Sequence, residues 1–107
     1  MEEEQLNPRL RRKVLHAANL TIARLSLAKD AVVPEHSHVH EQVCLVESGT
    51  VRFTVGGRAQ VVRPGEAIVV PSGVPHSVEV IEDATVTDIF SPAREDWQRG
   101  DDAYLRR

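Results

Sequence analysis

What most limits the fold of this chain is its punctuation. In its second half every apolar run is cut short by a turn signal: Ser48-Gly49, Gly56-Gly57, Arg63-Pro64-Gly65-Glu66, Pro71-Ser72-Gly73-Val74-Pro75 and Glu82-Asp83. Gly56-Gly57 suits a tight hairpin, and Pro64-Gly65 supplies a preset φ followed by a residue free to take φ > 0. Between the turns the runs alternate with period two. Val51, Phe53 and Val55 are separated by Arg52 and Thr54, and upstream Leu20, Ile22, Leu25 and Leu27 stand among Thr21, Ala23 and Ser26. Alternation of this kind is the mark of a half-buried strand. Further strands are expected over residues 42–47, 61–62, 67–70, 78–81 and 85–90, with Ser48-Gly49 and Glu82-Asp83 as breaks. About seven or eight short strands, with a turn about every ten residues, predict an all-β antiparallel sandwich or barrel. Helix is expected only after Ser91-Pro92, with Ser91 as cap, Pro92 at the first helical position and Gly100 as the stop.

A chain of 107 residues is one domain with one core. The acidic, polar stretch 1–13 reads as a loose N-terminal arm, 14–92 as the barrel and 93–107 as a short helix and tail. A net charge of -3 leaves no basic footprint, so no nucleic-acid partner is expected. The apolar runs are far shorter than a bilayer, so no membrane partner is expected either. Residues 1–13 lack the apolar stretch of a secretion signal, and the single Cys44 cannot form an internal disulfide. Both point to a reducing, cytoplasmic setting.

Four of the five histidines fall in two glycine-bounded stretches, Pro34 to Gly49 and Gly65 to His76. Residues two apart on a strand share a face, so His36 and His38 project together, and Gln42 keeps their parity. His76 arrives from elsewhere, behind a turn stiffened by Pro71 and Pro75. A lone histidine is usually structural. A pair at this spacing with a third behind a rigid turn points instead to a mononuclear metal centre of three imidazoles and an amide oxygen. In an octahedral site four protein ligands leave two positions for water or substrate. The fourth ligand stays open between Gln42 and, through a bulge, Glu41. His40 reads as a rim residue, His16 as having no role, and Cys44 as a small buried hydrophobe.

These stretches resemble the paired motifs of the cupin superfamily. The first reads His36-Ser37-His38, three residues, Gln42, six residues, Gly49; the second reads Gly65, five residues, Pro71-Ser72-Gly73, two residues, His76. The resemblance implies a small jelly-roll β-barrel with one divalent transition metal ion in its mouth, and Mn, Fe, Ni, Zn and Cu all accept such ligands. Two positions depart from the usual pattern: Gln42 stands where the family has Glu, and Val80 where Asn often follows. With neutral ligands the ion would keep its full charge and favour anionic substrate oxygens.

Asp88 and Phe90, two apart on the last expected strand, both face inward, and an unpaired inward carboxylate is costly. Arg94 is its candidate partner, either sealing the barrel end as an ion pair or binding a substrate carboxylate in bidentate fashion. This segment, with the HSHVHEQ start and the Asp102 to Arg106 ending, is similar to the small cupins of pectin and alginate breakdown. Those convert 4,5-unsaturated uronates to linear keto forms. The resemblance implies His36, His38, Gln42 and His76 as metal ligands, Asp88, Phe90 and Arg94 around a sugar-acid substrate, and enzymatic activity. Two other functions remain open, an Fe(II) oxygenase and a non-catalytic sensor of small molecules or metal. Exposed strands such as residues 20–27 suit a homodimer.

Overall fold

The computed structural model describes residues 1–107 and is all-β, with two short helices at its C-terminal end. In chain order the elements are β1 (Glu3–Asn7), β2 (Leu10–His16), β3 (Thr21–Leu27), β4 (Val32–His36), β5 (Glu41–Val55), β6 (Arg58–Val62), β7 (Ala67–Val70), β8 (His76–Ser91), α1 (Glu95–Gln98) and α2 (Ala103–Arg106). Every paired neighbour is antiparallel. The order is β1-β2-β3-β8-β5-β6, with β4 also on β8 and β7 also on β5.

Two long strands make this a jelly roll. β5 and β8 run side by side from Glu41↔Ser91 to Val55↔His76, with register shifts between Val46 and Val51. Before that bend the two strands lie between β3 and β7, and after it between β4 and β6. One ribbon thus passes from one layer to the other. Ser48-Gly49 and Glu82-Asp83, expected as turns that end strands, are instead the matched bends inside β5 and β8. The bend also changes the inward parity of β5, from Gln42, Cys44 and Val46 to Val51 and Phe53. An irregularity in the ladder allows this without breaking the pairing.

The core side of β3 is Thr21, Ala23, Leu25 and Leu27. Leu20 and Ile22, expected inside, face outward instead. The expected loose arm differs more. Its residues form β1 and β2, with Leu6, Leu10 and Arg12 buried, because the C-terminal segment covers them. The Asn7 amide donates to the carbonyls of Leu105 (3.1 Å) and Arg107 (3.0 Å), and Arg12 pairs with Asp102 at 2.9 Å. The expected helix also starts late, at Glu95 rather than Pro92, with no side-chain cap, and Gly100 (φ 86°) separates it from α2. No helix is long and apolar enough to cross a membrane.

Gly49 is the tightest point of the bend. Its φ is +76°, and a Cβ there would lie 2.0 Å from the Asp83 carbonyl oxygen and 2.6 Å from the Ala84 Cα. Gly65 has φ +84° but open space around its missing Cβ. Gly49→Ala is therefore expected to lose at least about 3 kcal/mol of unfolding free energy, through backbone clash as well as strain. Gly65→Ala should lose only about 1–2 kcal/mol. Urea titrations of both variants measure the difference, and equal losses would contradict the bend described.

Candidate metal centre

The histidines converge by a different route from the one the spacing suggests. His36 ends β4 and pairs in register with His76, the first residue of β8. His38 is not on a strand; it sits in the connection between β4 and β5, while Gln42 is the second residue of β5. That connection is fixed by the proline-rich turn before His76. Gly73 donates its backbone N–H to the His38 carbonyl at 2.8 Å, and the Ser72 hydroxyl donates to the Val39 carbonyl. The stiffness of Pro71 to Pro75 therefore positions two of the candidate ligands, His38 as well as His76.

The ring centroids lie 4.2 Å apart for His36–His76, 4.8 Å for His38–His76 and 5.6 Å for His36–His38. One potential ligand atom from each of the three lies within 4.8 Å of the others. Each ring has its Nδ1 on a backbone carbonyl: His36 on Pro34 (2.8 Å), His38 on His40 (3.0 Å) and His76 on Val74 (2.9 Å). A carbonyl only accepts, so Nδ1 carries the proton and Nε2 presents a lone pair. The Nε2 atoms of His38 and His76 are buried without any partner. Burial, foremost, pushes His36 and His38 down to about 4 and also lowers His76. Three neutral imidazoles, oriented by backbone carbonyls and aimed at one point, are the donor set a divalent cation requires.

Gln42 is buried and lines the same cavity, whereas Glu41 is exposed to solvent on the other side of the strand. The bulge that would turn Glu41 inward is absent, which removes that alternative. His40 is not a rim residue. It is 6% exposed, packs near Phe90 and has its Nε2 3.9 Å from Asp96 Oδ1, outside the cluster of three.

Asp88, Phe90 and Arg94 line the same cavity as the histidines. Asp88 faces Cys44 across the β5–β8 ladder. Burial raises its carboxyl to about 6, against the pull of the Cys44 thiol, the Gln42 amide and the Arg94 charge, and its Oδ1 has no hydrogen-bond partner. The same burial, with Asp88 beside it, pushes the Cys44 thiol up, so it is an inert core group. Of the two roles open to Arg94, the ion pair with Asp88 is not formed. Arg94 instead gives Nε and Nη2 to Asp96 at 3.0 and 2.9 Å, and Nη2 also reaches the Tyr104 hydroxyl at 2.9 Å. Its guanidinium lies between Phe90 and Trp97, 4.6 and 4.1 Å from the ring centroids. A fork held by Asp96 cannot grip a substrate carboxylate in bidentate fashion; only Nη1 is left free of these bonds.

The sequence reading missed Trp97, Tyr104 and the Arg12–Asp102 pair. Tyr104 stacks on His36 at 4.4 Å between centroids, and Arg12 sits over Trp97 at 4.6 Å. The signal available for Arg12 was its alternation with Leu10 and Val14, masked because arginine is not an expected core residue. The cavity is ≈ 50 Å³, partly open to solvent, and lined mostly by hydrophobic residues. It has room for an ion and a few waters, while a sugar would project from its mouth.

The Cupin domain family matches residues 23–90. An uncharacterised protein of Streptomyces coelicolor is 32% identical over 79 residues, covering 73% of this chain and 75% of that protein. Among solved structures, KdgF from Halomonas sp. superposes with a TM-score of 0.85 at 29% identity, covering 91% of each chain. An RmlC-like cupin from Shewanella frigidimarina gives a TM-score of 0.85 at 32% identity, covering 90% of this chain and 87% of the other.

The depressed imidazoles make the stability of the metal-free protein depend on pH. His36 and His38 have pKa values of about 4 when folded and 6.5 when unfolded, so across that window the unfolded chain holds more protons and stability rises with pH. Asp96, lowered by Arg94 against its burial, and Asp102, lowered chiefly by Arg106, act in the same sense at lower pH. Asp88 opposes them as pH rises from 3.8 to about 6, but it is one group against several. The urea midpoint of metal-free protein should fall as pH is lowered from about 6.5 towards 4. A flat or rising midpoint would contradict the burial of these rings.

Proposed function

Because the chain belongs to the cupin family, we propose that it is a metal-dependent enzyme that converts a small anionic sugar acid, a 4,5-unsaturated uronate, to its linear keto form. The observation that carries this reading is the meeting of the three-histidine cluster and the buried carboxyl of Asp88, its Oδ1 without a partner, in one cavity. The likeness to KdgF agrees with it. A divalent ion held by His36, His38, His76 and Gln42 would act as a Lewis acid toward a substrate oxygen.

In this reading Asp88 moves the protons. Its carboxylate form takes the proton of the anomeric hydroxyl. A carbonyl forms at that carbon, and the ring C–O bond breaks with its electron pair left on the ring oxygen, as an enolate. Asp88 then returns a proton to the adjacent alkene carbon, and the enolate becomes the ketone. The sum is an isomerisation that consumes no oxidant or reductant. A carboxyl near 6 suits both halves of such a transfer at neutral pH. Phe90 closes the wall, and the Arg94 charge, through Nη1, favours an anion nearby. A cytoplasmic setting, consistent with a single buried free cysteine, completes the reading.

Metal-loaded protein incubated with an unsaturated uronate should speed the loss of enol-ether absorbance above the spontaneous rate. Asp88→Asn should lower that rate by about 100-fold or more while metal content is unchanged. No acceleration by the wild-type protein ends the ketonising reading. Oxygen uptake with the same substrate would point to an Fe(II) oxygenase, and binding without turnover to a sensor.

The reading includes a homodimer. An outward row of Leu15, Ile22, Ile89, Val43 and Val69 crosses five strands in register. Leu15, Ile89 and Val69 in it are 52%, 40% and 53% exposed. An unbroken apolar row is complementary to itself about a two-fold axis, which supports a second copy as its cover. Sedimentation should give a dimer for the wild type and a monomer for Ile89→Lys, and a wild-type monomer would refute the pairing.

A further inference from the structure

The Tyr104 hydroxyl in the cavity wall is used only as an acceptor by its side-chain neighbours, so its donor half is free of them. Its hydroxyl oxygen accepts from Arg94 Nη2 at 2.9 Å and from Trp97 Nε1 at 3.3 Å. Guanidinium and indole N–H groups are donors only, so neither can receive the phenolic proton. Among the side-chain hydrogen bonds the hydroxyl appears only as an acceptor. With both of its acceptor directions taken, the remaining direction of the oxygen belongs to its own proton, and Tyr104 lines the cavity with His36 and Arg94.

The position is held from several sides. The Tyr104 ring lies against His36, with centroids 4.4 Å apart and planes tilted 35°. Asp102, the residue before α2, is bound by Arg12 at 2.9 Å and by Arg106 at 2.9 and 3.0 Å. Asn7 holds the carbonyls that end the helix. A donor locked in this way loses little freedom when it binds, which is what a recognition group requires.

We propose that Tyr104 is a substrate-contacting hydrogen-bond donor, presenting its hydroxyl proton to an acceptor oxygen of an anionic ligand seated at the cavity mouth. The inference deepens the uronate reading and rests on it for the choice of sugar acid. The anion-donor role itself needs only a carboxylate-bearing ligand. In the ketonising reaction the group would face an oxygen that gains negative charge, where a fixed neutral donor is most effective. The Arg94 bond sharpens it further, because a phenol that accepts from a cation becomes a stronger donor.

Tyr104 is the only tyrosine and Trp97 the only tryptophan of the chain, which allows a sign-sensitive test. Growth on 3-fluorotyrosine labels this position alone. Fluorination makes the phenol a better donor and a poorer acceptor. Metal-loaded wild-type, 3-fluorotyrosine and Tyr104→Phe proteins would be titrated by calorimetry near pH 6.5 with D-galacturonate and, separately, with malonate. Metal content and Trp97 emission are recorded for each. The proposal expects Tyr104→Phe to bind at least one probe about tenfold more weakly at unchanged metal content, and the fluorinated protein to bind it more tightly. If Tyr104 serves only as an acceptor that steadies Arg94 and Trp97, fluorination weakens binding, and the proposal falls. It falls equally if all three proteins bind alike, or if neither probe binds the wild type. Tyr104-dependent binding of malonate without binding of galacturonate would uphold the donor and overturn the sugar-acid reading instead.

Discussion

The architecture depends on one steric constraint, the close passage of Gly49 over the Asp83–Ala84 backbone. Only a residue without a Cβ lets β5 and β8 bend together there, and only a shared bend keeps their ladder paired from one layer to the other. Without it the strands would continue straight, as two-sided ribbon with no second layer to cover the inner face of Cys44, Val46 and Val86. The bend also sets where the site falls. Gln42, Asp88 and Phe90 lie on the portion of the ribbon before it, His76 at the far end after it, and the folding over brings both ends against one cavity.

Building a polar site at the end of a small apolar core requires that each buried polar group be settled. The imidazoles are settled by backbone carbonyls on one side, which leaves their other nitrogens directed at one another. That arrangement is poor packing for an ordinary core and a reasonable one for a cation. Asp88 is settled only in part, by Gln42 and Cys44, and its raised pKa is the physical consequence of that incomplete compensation. The same desolvation that lowers the histidines raises the acid, so one environment moves the two classes towards overlapping pH ranges.

Much of this was legible in the residues, and the failures have physical reasons. The motif positions around His36, His38, Gln42 and His76 could be read because their spacing and turn chemistry are local. Parity alone was misleading: His38 is held by Gly73 and Ser72 across the chain rather than by sharing a strand with His36. Gly49 and Asp83 looked like turns because positive φ and acidic pairs are usually turn signals, and a bend inside a continuous strand uses the same residues. Arg94 lines the cavity, but of the roles left open for it the Asp88 pair is lost to Asp96, which lies two residues on and competes at short range for the same guanidinium. The N-terminal strands pair with their sequence neighbours, β1 with β2 and β2 with β3. They escaped notice because the stretch is charged and what covers its buried face comes from the opposite end of the chain, and an ion pair such as Arg12–Asp102 leaves no local trace.

That last pairing explains why the C-terminal segment, with helices of only four residues each, holds a defined shape. Helices so short have no stability of their own. Their order comes from charge and aromatic surface: Trp97 lies under two guanidinium groups, Arg12 at 4.6 Å and Arg94 at 4.1 Å, and each arginine is anchored by its own aspartate, Asp102 and Asp96. Arginine suits this use because its planar cation can stack on an indole while its edge donates to a carboxylate. Both arginine side chains are nearly fully buried; Arg12 has Glu4 at 3.3 Å as a second anion, whereas Arg94 is paired with Asp96 alone, so removing Asp96 would be the costlier loss. The segment is therefore held most firmly where it meets the cavity, and Tyr104 inherits its fixed position from ion pairs that lie outside the three-histidine cluster.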